Sequence, residues 1–151
     1  MRQKSYKMEK NNSKWVLGHQ VTSYETSGDY DLMLAVTPPH VQGPPPHLHN
    51  SFKESFLIIE GEMEFFVDGE IMKIGAGESV DIPPKTLHTF GNKSDSPCKW
   101  VNIHSPKGFS AFFEQMGIPA ELEDAQEKSV APEIIQKVME TAEGFDMIIK
   151  V

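Results

Sequence analysis

Cysteine is nearly absent: Cys98 is the one thiol in 151 residues, so no disulfide can close within the chain. A reducing compartment, with the cytoplasm as the default, is the expectation. Positive charge is short as well. Fourteen Lys and Arg stand against 22 Asp and Glu, a net charge of −8. No Lys/Arg cluster with interleaved aromatics occurs, and so acidic a surface repels a polyanion, which argues against nucleic acid as a partner. Long apolar runs are missing too. None approaches the roughly 18 residues of a membrane-spanning helix. The opening MRQKSYKMEKNNSKW lacks the apolar stretch of a signal peptide. No serine lies in a nucleophile-elbow sequence and no glycine-rich phosphate loop precedes a helix.

What the chain has is punctuation. Eleven Gly and eleven Pro, most of them between residues 28 and 97, suit many short strands better than long helices. Residues 1–13 read as a flexible polar lead-in. WVLGHQVTSYET and DYDLMLAVT then read as strands around a Ser27-Gly28-Asp29 turn. TPPHVQGPPPH (37–47) holds five prolines and cannot be helical. Strand candidates follow at SFLIIE (55–60), EMEFFV (62–67), EIMKI (70–74), ESVDI (78–82), from near Leu87, and at KWVNIH (99–104). Asp68-Gly69 between the second and third is a type I′ hairpin signal. This spacing predicts an antiparallel sandwich or barrel over 14–108. Over 109–151 the pattern turns helical. Phe109, Phe112, Phe113 and Met116 share one face up to Gly117, and EIIQKVMETAE begins after Pro132 and stops at Gly144. FDMIIKV reads as a last extended piece. The helical segment is expected to pack on the outer surface of the barrel.

Six histidines are present, and two form an HxH pair. On an extended strand His47 and His49 project to the same face and can share a metal ion. Glu54 has the wrong parity for a straight strand, but Asn50-Ser51 allows a bend that returns it to the same pocket. His88 begins another strand after Pro83-Pro84-Lys85. Three neutral imidazoles and one carboxylate around a divalent ion leave a net charge near +1, which follows from their charges at neutral pH. Nitrogen and carboxylate donors without a thiolate suit Fe, Mn, Ni, Co, Cu or Zn.

GPPPHLHNSFKESFLIIEG (43–61) resembles the first motif of the cupin superfamily, with HxH, four residues, Glu, six residues and Gly. Three residues separate the leading Gly43 from His47 where the family pattern has five. GESVDIPPKTLHTFGN (77–92) resembles the second motif, with Lys85 standing where the pattern has glycine. A lysine there is strained if the turn demands positive φ. The resemblance covers about residues 30–105 and implies an all-β cupin fold, a jelly-roll (double-stranded β-helix) barrel, with short C-terminal helices. It also implies that His47, His49, Glu54 and His88 bind one divalent metal. SPKGFSAFFEQMG further resembles the tail of single-domain, quercetin dioxygenase-like cupins. That likeness implies a metal-dependent dioxygenase of a small aromatic or enolisable substrate, with Glu54 as ligand and catalytic base. An elevated Glu54 pKa would help that role. A metal-containing binding or sensing module without turnover, or a cupin isomerase or decarboxylase, is the alternative, because one fold carries many chemistries.

If Glu54 points inward, Phe56 and Ile58 follow it by strand alternation, and Phe90 follows His88. These three and His104 are the candidate cavity wall. His40 is a candidate for the mouth, and His19 reads as an ordinary strand residue. Asp81 and Glu60 are expected on outer faces. Cys98 is expected in a polar loop, without a partner to activate it. Leu57 and Ile59 face outward and, with the helical C-terminal segment, offer apolar surface for a homodimer. A small molecule is the expected ligand.

Overall fold

A computed structural model describes residues 6–150. The first five residues of the polar lead-in and Val151 lie outside the described residues. Residues 9–11 already bond along 23–25, with Asn11 N donating to Ser23 O at 2.9 Å and Glu25 N to Glu9 O at 2.8 Å.

Ten strands precede the first helix: β1 (Lys14–Val16), β2 (His19–Tyr24), β3 (Asp31–Thr37), β4 (His47–Leu48), β5 (Lys53–Glu60), β6 (Glu62–Val67), β7 (Glu70–Gly75), β8 (Ser79–Ile82), β9 (His88–Gly91) and β10 (Cys98–Ser105). After them come α1 (Ser110–Met116), β11 (Ile118–Pro119), α2 (Ala125–Ser129), α3 (Pro132–Thr141), a 3-10 turn at Ala142–Phe145, and β12 (Ile148–Ile149). They build two antiparallel sheets, ordered β11-β1-β2-β3-β10-β5-β8 and β12-β4-β9-β6-β7. The antiparallel sandwich expected from the spacing is present, and its two facing sheets are consistent with the jelly roll that the cupin resemblance implies, without closing into one cylinder.

Alternation decides which side chains meet between the sheets. On β3, residues 31, 33, 35 and 37 are buried and their neighbours are half-buried. On β10, Cys98, Trp100, Asn102 and His104 face inward. Phe56, Ile58, Met63, Phe65 and Ile82 complete the core, all at most 1% exposed. Phe56 stacks edge-on against Phe65 with ring centroids 4.9 Å apart and lies 5.2 Å from the Trp100 ring. Truncating such a residue to Ala costs about 3–5 kcal/mol.

The turns follow local chemistry. Asp68 (φ 48°) and Gly69 (φ 87°) are both left-handed, as a type I′ hairpin between β6 and β7 requires. Gly43 donates its N–H to Phe90 O at 2.7 Å, and a Cβ there would collide with that carbonyl. The shifted glycine of the first motif therefore serves a close approach between the proline loop and β9.

Helix α1 carries no side-chain cap of its own. Instead Asp31, at the start of β3, takes the N–H groups of Gly108, Phe109 and Ser110 on Oδ2 at 2.9, 2.8 and 3.3 Å. A buried carboxylate thus stands where a capping Ser or Asp would. Pro132 occupies the first turn of α3. Cys98 differs from its expected place: it opens β10 and is fully buried. Burial, followed by the nearby Glu62 charge, pushes its thiol up to about 11, which disfavours the nucleophilic thiolate. Among the described residues, no helix is long and apolar enough to cross a membrane.

Candidate metal centre

β4 and β9 are neighbours, and His47 lies directly opposite His88 in their register. His49 follows on the His47 side, just beyond β4. The chain bends at Asn50-Ser51 and returns as β5, where Glu54 faces inward opposite Ile82 of β8. One ligand atom from each of His47, His49, Glu54 and His88 can be chosen so that all four lie within 4.8 Å of one another, and all four residues are buried. The three imidazole centroids are 4.3 to 5.4 Å apart.

Backbone carbonyls fix how each ring presents itself. His47 Nδ1 lies 3.0 Å from Pro45 O, His49 Nδ1 2.7 Å from Asp146 O, and His88 Nδ1 2.9 Å from Thr86 O. A carbonyl only accepts, so each Nδ1 carries the hydrogen, and in the neutral form of each ring Nε2 is then the bare nitrogen, turned inward. There His88 Nε2 meets Glu54 Oε2 at 2.9 Å and His49 Nε2 meets the same oxygen at 3.3 Å. Lone pairs facing a carboxylate at these distances repel unless a cation lies among them. His49 Nε2, moreover, is buried without a hydrogen-bond partner. This donor set fits a divalent ion of the nitrogen- and oxygen-loving transition series, and the carbonyl-anchored Nδ1–H groups are the outer support that metal-binding histidines require.

Two residues on β10 hold the other carboxylate oxygen. Asn102 Nδ2 donates to Glu54 Oε1 at 3.2 Å and to Ser55 O at 3.2 Å. His104 Nε2 sits 3.1 Å from Oε1, out of line for a good hydrogen bond, and its Nδ1 has no partner either. The titration behaviour follows. Burial alone would raise the Glu54 carboxyl, but His104 first, and then His49 and His88, hold it well below the usual carboxylate range. The direction is opposite to the elevated pKa that would help Glu54 act as a base. Burial, reinforced by the His88 charge, pushes His47 down to about 3. Burial also opposes charge on His49, yet Glu54 and Asp146 outweigh it and raise that ring above its ordinary value.

The cluster forms the polar end of a cavity of about 60 Å³. Phe109, Phe112 and Phe113 of the α1 region roof it, and Val16, Leu17, Phe90, Trp100 and Met147 line it. Among the described residues, none of the lining side chains is Lys or Arg. Of the expected wall residues, Phe90 is in place. Phe56 and Ile58 point inward but pack into the core outside the lining, and His104 lies behind Glu54, stacked on Phe109 at 4.6 Å. His40 is exposed at the surface and pairs with Asp95 at 2.7 Å. Glu60 and Asp81 are exposed, and Leu57 and Ile59 are each 41% exposed on the outer face.

Three contributors escaped the sequence reading. Asn102 had a signal, a polar residue at inward parity between Trp100 and His104. His19 lines the cavity, buried, and burial lowers its pKa to about 4 against a weaker opposing pull from the Gln42 carbonyl. Asp146 had no local signal, because its partners lie 95 to 97 residues away.

Known proteins resemble this chain to different extents. A quercetin 2,3-dioxygenase of Bacillus subtilis is 31% identical over 75 residues, 50% of this chain but 22% of the dioxygenase, so the chain matches about a fifth of that relative's length. The structure of KdgF from Halomonas superposes with a TM-score of 0.55 at 19% identity, over 60% of this chain and 80% of that one. A sugar phosphate isomerase of the cupin superfamily from Silicibacter pomeroyi superposes at 0.54 with 16% identity, over 67% and 73% of the two chains. At such identities the structures speak for the fold alone. Residues 33–104 match the family described as Cupin domain, and both histidine-bearing motifs lie within that matched segment.

Proposed function

We propose that this cupin binds one divalent transition ion (Fe, Mn, Ni, Co, Cu or Zn) through Nε2 of His47, His49 and His88 and Oε2 of Glu54. Its proposed reaction is the dioxygenation of a small, largely apolar, enolisable compound. The observation that carries this reading is three imidazoles and a carboxylate whose ligand atoms meet, all buried, beside a largely apolar cavity. A bound divalent ion would supply Lewis acidity toward substrate oxygens.

The chain's own residues do the rest. Asn102 donates to Glu54 Oε1 with His104 beside it, and Oε2 is the oxygen turned toward the imidazoles. A carboxyl held low is a good ligand and a reluctant base. His104, 3.1 Å from Glu54, is placed to share with it a proton taken from the substrate. The phenylalanine roof excludes water and strengthens each polar contact beneath it.

Size and charge narrow the substrate. A volume of about 60 Å³ is well under the roughly 300–1,000 Å³ of pockets for drug-sized ligands. A three-ring flavonol does not fit unless α1 moves outward. The absence of a lining cation disfavours a sugar phosphate, whose charge calls for Lys or Arg. The test is oxygen uptake by protein reconstituted separately with each metal, offered a small diketone and a flavonol. Uptake with the diketone and little with the flavonol is expected. No uptake with any metal and any substrate overturns the dioxygenase reading, and saturable binding without product then makes the chain a binding module.

A further inference from the structure

The C-terminal segment does more than cover the sheets. We infer that Asp146 is a positioning residue for the metal centre, acting from the far end of the chain to lock the His49 loop. This rests on the reading of His49 as a metal ligand.

Asp146 meets that loop with three separate atoms. Its carbonyl oxygen accepts from His49 Nδ1 at 2.7 Å. Its carboxylate accepts the N–H of Asn50 on Oδ1 and of Ser51 on Oδ2, both at 2.8 Å. Asn50 and Ser51 form the bend that carries the chain from the HxH pair to Glu54. The same residue therefore orients one ligand ring and clamps the hinge between two ligand-bearing strands. Ionised oxygens on backbone N–H groups make short, strong hydrogen bonds.

Its own place is well fixed. Asp146 sits at φ 58°, a left-handed position that ends the 3-10 turn. Its N–H donates to Glu143 O at 3.0 Å, and Met147 N donates to Ala142 O at 3.1 Å. Beyond it β12 pairs with the ligand strand itself, Ile148 opposite Leu48 and Ile149 opposite His47. Lys150 N closes the strip by donating to Pro46 O at 2.9 Å. His47 and His88 lean on carbonyls two residues away in their own loops, whereas His49 alone among the three takes its support from a distant segment.

The carboxylate can be removed without disturbing the backbone that carries the carbonyl. Asp146→Gly keeps a residue at ease at positive φ, and Asp146→Asn keeps one acceptor and tolerates the same conformation. Metal-free variants are first compared with the parent by far-UV circular dichroism and thermal melting. Affinity for Co(II) is then measured by competition with a chelator, and the visible ligand-field spectrum of the Co(II) form is recorded. For Asp146→Gly the expected result is affinity lower by about 10- to 100-fold, the usual effect of losing an outer hydrogen-bond partner, with a shifted spectrum. Asp146→Asn should fall between the parent and the glycine variant. If affinity stays within twofold and the spectrum is unchanged while only the melting temperature drops, Asp146 is merely structural and the inference fails. If Asp146→Gly does not fold, Asp146→Asn decides by the same two readouts. Should parent and His49→Ala bind Co(II) equally well, the ligand assignment of His49 itself is wrong, which separates that failure from this one.

Discussion

Two buried histidine groups border the same cavity and are treated in opposite ways. At one end His19 is fully satisfied: Trp100 Nε1 donates to Thr37 Oγ1 at 2.9 Å, that hydroxyl meets His19 Nδ1 at 2.8 Å, and His19 Nε2 faces Gln42 O at 3.1 Å. The chain of donors and acceptors closes on itself and assigns the tautomer with hydrogen on Nε2. At the other end His47, His49 and His88 each spend Nδ1 on a carbonyl and turn the second nitrogen toward a carboxylate. Burial is equal, and the bonding differs. A histidine answered by neutral partners on both nitrogens contributes to the fold, whereas several that converge on one buried carboxylate mark chemistry.

The largest expected effect breaks the unanswered end. His88→Ala removes a bare Nε2, the ring opposite His47 and the closest imidazole contact of Glu54. Metal content by elemental analysis should fall from near one ion per chain to a small fraction, with an affinity loss beyond the roughly 10- to 100-fold of outer-partner changes. Unchanged stoichiometry would refute the ligand assignment.

The next effect lies at the answered end. His19→Leu leaves the Thr37 hydroxyl and the Gln42 carbonyl without their partner, so urea unfolding at neutral pH should report a loss of about 1–3 kcal/mol. Metal affinity should stay within twofold. The same pair of proteins carries a pH signature. With its folded pKa at about 4, below the ordinary imidazole value of 6.5, His19 binds fewer protons in the folded chain than in the unfolded one between those values. Its contribution is intact above the unfolded pKa and falls as acid is added, by up to about 3 kcal/mol at pH 4 and below. Parent stability should therefore converge on that of His19→Leu through this window. A constant gap between the two curves would contradict the buried neutral ring.

The smallest effect concerns the departure from the second motif. Lys85 adopts φ 65° and donates its N–H to His49 O at 2.6 Å. Lys85→Gly relieves a left-handed lysine and should raise stability by about 1 kcal/mol, less the added chain entropy of glycine. Chelator competition should find metal affinity unaltered.

These cases show what the sequence could disclose. The β6–β7 hairpin was legible because Asp68-Gly69 encodes its turn within two residues. The four ligands were legible because each motif keeps its spacing on one strand or one bend. Helix α2 went unseen, since AQEKS lacks an apolar period and its packing comes from β1 and β11. His19 read as an ordinary strand residue because its partners, Thr37 and Gln42, are brought to it by the fold. Cys98 reads as a loop residue because the prolyl and polar residues before it mask the start of β10. Asp146 is the extreme case. Nothing beside it in the chain hints at a loop 95 residues upstream.

That separation has a consequence for the order in which the centre is built. A chain emerging from synthesis displays the HxH pair long before Asp146 exists, 97 residues before in the case of His49. Long-range pairings form late, because ordering the intervening chain costs entropy before the contact repays it. An ion met early finds two freely turning imidazoles, with neither the strand that pairs with His47 nor the carboxylate that steadies the bend. On that order of events tight capture waits for the last strand to dock, and bound metal counts the molecules that have finished folding.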